Sequence, residues 1–178
     1  MTATRALEPV PPVGVDPLRF RAAMSRFATG VTVVTAHTRG TDVAMTANSF
    51  TSVSMDPVLV SVAVRNSARW EAAVRASGSY VVNVLSAGQR HIADTFAKSG
   101  RGEDDRPLLD LLPHTRSLFT GSAVLDEALA VVHCTVYHLV QAGDHVLVLG
   151  QVVDVYAADP APPLLFVNGR YATLDSSA

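Results

Sequence analysis

The sequence predicts a mainly β protein: an antiparallel barrel with a few short helices. Val- and Thr-rich runs recur along the chain, short turns join most of them, and only three modest helical segments intervene. Strands and helices do not alternate regularly, which argues against a parallel sheet, and no internal repeat is visible.

Residues 1–15 are proline-rich without apolar periodicity and read as a flexible N-terminal arm, ahead of one domain over 16–178. Asp16 as N-cap and Pro17 in the first turn open a helix predicted over 17–27, with Phe20, Met24 and Phe27 on one face. After Gly30 the texture becomes β, with runs over 31–36 and 43–50 around a turn at 39–42. A further strand is predicted over 58–64, followed by a short helix capped by Ser67 and a strand over 80–85. Ser86 and Gln89 have capping-box spacing, which places a helix over 89–97 before a charged, glycine-containing loop at 99–106 that is expected to be mobile. Two long β-runs, 131–140 and 145–156, flank the turn Gln141-Ala142-Gly143-Asp144, and short strands are predicted at 164–167 and 171–174.

Composition narrows the function. With 178 residues, 48% hydrophobic and 17% charged, the chain can bury a real core. A net charge of −2 and scattered arginines give no footprint for nucleic acid. The lone Cys134 precludes an internal disulfide, no secretory pattern opens the chain, and no run of about twenty apolar residues spans a membrane, so a soluble cytoplasmic protein is expected. No G-x-G-x-x-G, P-loop or G-x-S-x-G occurs. His133, Cys134 and His138 fall in a predicted strand, where residues four apart lie about 13 Å from one another, so no metal site is expected.

Four segments could carry chemistry. Between Met45 and Ser54, six hydroxyl or amide side chains fall within nine positions without a charge, a surface that could hydrogen-bond the polar edge of a heteroaromatic ring. In Arg65-Asn66-Ser67-Ala68-Arg69-Trp70, a hydroxyl, an arginine and the free N–H groups of a helix start could hold an anion. Gly143-Asp144-His145 brings an imidazole out of a tight turn, and Asn168-Gly169-Arg170-Tyr171 offers a cation beside an aromatic ring. Each segment taken singly also fits an ordinary strand, cap or surface turn.

Taken together, Phe27-Ala28-Thr29-Gly30-Val31-Thr32-Val33-Val34-Thr35, then the stretch from Thr46 to Ser54, then Gly143-Asp144-His145, resemble the flavin reductase family with the FMN-binding split-barrel fold. The similarity is strongest to the short-chain reductase components of two-component flavin monooxygenases. The resemblance implies an antiparallel Greek-key split barrel, a homodimer, FMN or FAD with NADH (NADPH remaining open), and a flavin-dependent monooxygenase that receives the reduced flavin. It also implies that Thr46, Ala47, Asn48, Ser49, Ser52, Val53 and Ser54 line the isoalloxazine, and that Asn66, Ser67 and Phe96 lie along the remainder of the flavin. His145, Arg170 and Tyr171 are implied at the nicotinamide site. Two positions depart from the family pattern: Arg69 stands where many relatives carry a small hydroxyl, and Lys98 alone represents the lysine common in the second-helix region.

On this reading no side chain acts as general acid or base, because flavin and nicotinamide carry the redox chemistry. The competing readings are a split-barrel oxidase of a small phosphorylated substrate and a non-catalytic flavin- or haem-binding electron carrier.

Overall fold

The computed structural model describes residues 14–174, so most of the predicted N-terminal arm lies outside the described residues. Chain order gives α1 (Pro17–Met24), β1 (Thr29–Gly30), β2 (Thr32–Thr38), β3 (Thr41–Ala47), β4 (Thr51–Met55) and β5 (Val58–Arg65). Then come α2 (Arg69–Ser77), β6 (Ser79–Val84), a 3-10 turn (Ala87–Gln89), α3 (Arg90–Ala97) and α4 (Arg106–Leu109). The remainder is β7 (His114–Arg116), β8 (Ala123–Leu125), β9 (Ala130–Ala142), β10 (His145–Ala157), β11 (Leu165–Val167) and β12 (Arg170–Ala172).

Seven strands form one sheet in the order β3-β2-β6-β9-β10-β5-β4, every pairing antiparallel. The mainly β, antiparallel class is as expected; the hydrogen-bond ladder of this sheet does not close among the described residues, and its edges are β3 and β4. Those two edges are nevertheless consecutive in sequence, linked only by Asn48, Ser49 and Phe50. Four peptide steps reach about 14 Å at most, whereas seven flat strands would span about 29 Å, so the sheet must curl until its edges approach.

Period-two alternation divides the core between the two faces of that curl. Val34 and Ala36 of β2 join Val60, Val62, Val132, Val146 and Val148 inside it, beneath Trp70 and Val74 of α2. Val31 and Val33 point the other way, onto Leu85, Ile92, Ala93 and Phe96. Trp70 and Tyr80 meet edge-on with ring centroids 5.3 Å apart. Gly150 admits the Tyr80 ring against β10, since a Cβ there would lie 2.0 Å from Tyr80 Oη.

Several local expectations need correction. Asp16 caps α1 by accepting from Leu18 N at 2.9 Å, but the helix stops at Met24 and buries nothing; Phe20, Met24 and Phe27 all face solvent. Ser67 is not the cap of α2, whose N-cap is Ala68 without a side-chain bond. The Ser86–Gln89 capping box forms as read, around the 3-10 turn that leads into α3. The loop at 99–106 is hydrogen-bonded to its neighbours, with Arg101 and the fully buried Asp105 tying it to α3, α2 and β3.

Candidate active site

The end of β3, the link to β4, the end of β5, the start of α2 and the loop after α3 converge on one cleft of about 920 Å³. That volume falls in the range of small-molecule sites. One wall is neutral, made by Thr46, Ala47, Asn48 and Ser49. Thr46 Oγ1 donates to Ala93 O at 2.7 Å and Ser49 Oγ to Ala63 O at 2.7 Å, which locks both rotamers. Asn48 is held by donating Nδ2 to Thr29 Oγ1 at 3.2 Å. Sequence reasoning singled out this wall, and the fold delivers it as a surface because β3 ends where the chain crosses to the other sheet edge.

The lining is also cationic. Arg65, Arg69, Lys98 and Arg101 line the cleft, with Ser67, Trp70 and Phe96, and no Asp or Glu is among the described lining residues. Such a site favours an anion with an apolar or aromatic body. Two of these cations are anchored by Asp105, which is fully buried. Its Oδ1 accepts from Arg101 Nε at 3.0 Å, and its Oδ2 from Arg69 Nη2 at 3.0 Å and Ala44 N at 2.9 Å. Arg101 also lies over the Phe96 ring, 5.5 Å from its centroid.

A second buried carboxylate, Asp42, sits near the start of β3 itself and receives His37 Nδ1, Arg106 Nε and Arg116 Nη2 at 2.9, 3.1 and 2.7 Å. Burial alone would raise its pKa, but hydrogen bonds from Arg116, His37 and Arg106 outweigh this and hold the carboxyl down at about 2. Sequence reasoning missed both aspartates. Asp105 falls in the loop at 99–106, which reads in the sequence only as charged and glycine-containing, and only the fold reveals that it turns inward.

His145 opens β10 at the rim of the cleft, paired across the sheet with Arg65 and Ala142. Gly143, at φ +63°, makes the preceding turn. His145 Nδ1 lies 2.7 Å from Asp144 Oδ1, and since an ionised carboxylate only accepts, this contact assigns the ring proton to Nδ1 and leaves Nε2 free. The hydrogen bond from His145 holds the Asp144 carboxyl below its usual range.

Not every predicted site residue comes here. Ser52, Val53 and Ser54 stand on edge strand β4, outside the cleft lining, where Ser54 Oγ accepts from Asp56 N and Val53 is half-exposed. Asn66 is turned to the β9–β10 turn, donating to Gly143 O at 3.4 Å. Tyr171 lines a separate cavity of about 140 Å³ that shares Thr46, Asn48 and Ala97 with the cleft, while Arg170 lines neither cavity. His133 is buried beside Ser117 Oγ at 2.8 Å, and burial lowers its pKa. Burial pushes the Cys134 thiol up to about 12, which leaves it inert.

A curled antiparallel sheet carrying a large cleft, lined by uncharged hydroxyl and amide side chains together with four cations, suits anionic heteroaromatic small molecules. The chain belongs to the family described as the flavin reductase like domain, which residues 24–175 match. An NADH-dependent flavin reductase of a Rhodococcus species is 37% identical over 165 residues, 90% of this chain and 88% of that protein. Among solved structures, BorF, the flavin reductase component of a bacterial two-component tryptophan halogenase, superposes with a TM-score of 0.83 at 37% identity, over 89% of this chain and 98% of its own. The NADH:FAD oxidoreductase of Streptomyces globisporus C-1027, solved with NAD and FAD fragments, gives 0.84 at 32% identity, covering 94% of this chain and 99% of its own.

Proposed function

We propose that the chain is an NADH-dependent flavin reductase that uses FMN or FAD and supplies reduced flavin to a partner monooxygenase. The observation that carries this reading is the cleft itself, lined both by the uncharged Thr46–Ser49 run and by Arg65, Arg69, Lys98 and Arg101. That donor set fits a flavin: hydroxyls and amides for the polar ring edge, Phe96 and Trp70 for apolar contact, and cations for the phosphate. The named relatives support the same activity.

A flavin held here by the Thr46–Ser49 run and the cleft's cations would supply the redox chemistry. The residues of this chain bind and orient. Thr46, Asn48 and Ser49 are fixed by their own hydrogen bonds, so they hold a ring at little further entropic cost. His145, with Nδ1 committed to Asp144, offers Nε2 at the rim for the nicotinamide. On this reading no side chain is needed as general acid or base, because flavin and nicotinamide carry the redox chemistry.

The split-barrel form of the curled sheet, a homodimer and a cytoplasmic location belong to the same proposal. Supporting the dimer are apolar side chains left in solvent on α1 (Leu18, Phe20) and on β4 and β10 (Met55, Val155, Tyr156). No helix among the described residues is long and apolar enough to cross a membrane.

The test is anaerobic oxidation of NADH and NADPH at about 340 nm with FMN, FAD or no flavin added. Flavin-dependent oxidation of NADH is expected; flavin binding without turnover by either nicotinamide would favour a carrier instead.

A further inference from the structure

We propose that Arg69, pinned by the buried Asp105, reads the ribityl phosphate and makes this cleft selective for phosphorylated flavins over riboflavin. The inference rests on the reading of the cleft as a flavin site and assigns a specificity residue within it.

Asp105 is a single carboxylate, fully buried, with two guanidinium groups on it, so one positive charge is left over. Counting donors decides where that charge is offered, since a guanidinium carries five N–H groups. Arg101 spends four: Nε on Asp105 at 3.0 Å, Nη1 on Thr95 O and Lys98 O, and Nη2 on Ala44 O at 2.8 Å. Its side chain is 13% exposed. Arg101 is thus a staple between the loop, the end of α3 and β3.

Arg69 is differently placed. Its Nη2 is shared between the two Asp105 oxygens at 3.2 and 3.0 Å, and Nη1 donates to Gly102 O. Among the described residues Nε–H has no acceptor, and the side chain, 32% exposed, lines the cleft. The surplus charge is therefore presented at Arg69, with donors to spare.

Arg65 and Lys98 also line the cleft, but among the described residues no carboxylate holds either of them. A cation already fixed by Asp105 loses less freedom on meeting an anion than a flexible one does. In this chain the residue at position 69 therefore sets the preference for a phosphate ester, and Asp105 acts as its positioning residue.

Titration of flavin fluorescence without nicotinamide tests this, using FMN and riboflavin with wild type, Arg69→Met and Arg69→Lys. Wild type is expected to prefer FMN, with a preference that shrinks as NaCl rises. Arg69→Met should weaken FMN about tenfold while leaving riboflavin nearly unchanged, and Arg69→Lys should recover part of the preference. Equal weakening of both ligands would mean a structural role and overturn the proposal. So would unchanged flavin affinities with a raised KM for NADH, because the anion read would then be the dinucleotide pyrophosphate. Wild type that binds both flavins equally refutes the phosphate reading alone, whatever the variants' folding, whereas wild type that binds neither refutes the flavin site itself.

Discussion

Replacing Asp105 by Asn keeps the volume and removes the charge under two arginines. The carboxylate oxygens now accept from Arg69, Arg101 and Ala44 N, and an amide can offer only one acceptor while its NH2 is forced toward donors. Breaking a buried ion pair by removing one partner costs about 3–5 kcal/mol. Arg69, one-third exposed, can turn to water, but Arg101, at 13%, cannot, so the lower end applies, about 3 kcal/mol. In a chain of this size that is a fall of about 10 °C in Tm. The fluorescence of Trp70, the only tryptophan and fully buried, reports the transition in urea or on heating. A loss below about 1 kcal/mol would refute the claim that the Asp105 knot holds the cleft wall together.

Asp42 should confer an acid limit. With its carboxyl held at about 2 against an ordinary 3.8, its stabilisation is complete above about pH 4 and is lost as pH falls toward 2, about 2 kcal/mol in all. Asp42→Asn should flatten that part of a urea-midpoint profile. Gly150→Ala should cost about 2 kcal/mol, because the new Cβ would meet Tyr80 Oη at 2.0 Å and Cζ at 2.7 Å; adding Tyr80→Phe should recover part of the lost Tm, and no recovery would place the clash elsewhere. His145→Ala should raise KM for NADH several-fold while the Kd for FMN holds, and equal loss of both would move His145 out of the nicotinamide's reach.

What the sequence made legible was local. Capping boxes, β-branched runs and glycine turns act within a few residues, so the hairpin of β2 and β3, the Ser86–Gln89 box and the turn at Gly143 were readable. The neutral wall from Thr46 to Ser49 was readable as composition, an uncharged hydroxyl-rich run that strand preference alone does not demand. Long-range pairings were not readable. Asp105 meets Ala44 and Arg69 across 61 and 36 positions, and no local pattern separates such an aspartate from a solvated one. The apolar face of α1 shows the same gap, since Phe20 and Met24 recur at helical spacing yet stay exposed among the described residues. Periodicity reveals that a face wants cover but not what covers it. Ser52, Val53 and Ser54 continued the readable run, but a change of strand after Phe50 carried them to the outer edge.

The central claim is that nicotinamide reduces flavin held in this cleft. Anaerobic stopped-flow mixing of the FMN-loaded protein with NADH, followed at about 450 nm, tests it most directly. First-order bleaching that saturates with NADH and slows when the transferred hydrogen is deuterium is expected. Bound FMN that stays oxidised at saturating NADH would contradict it.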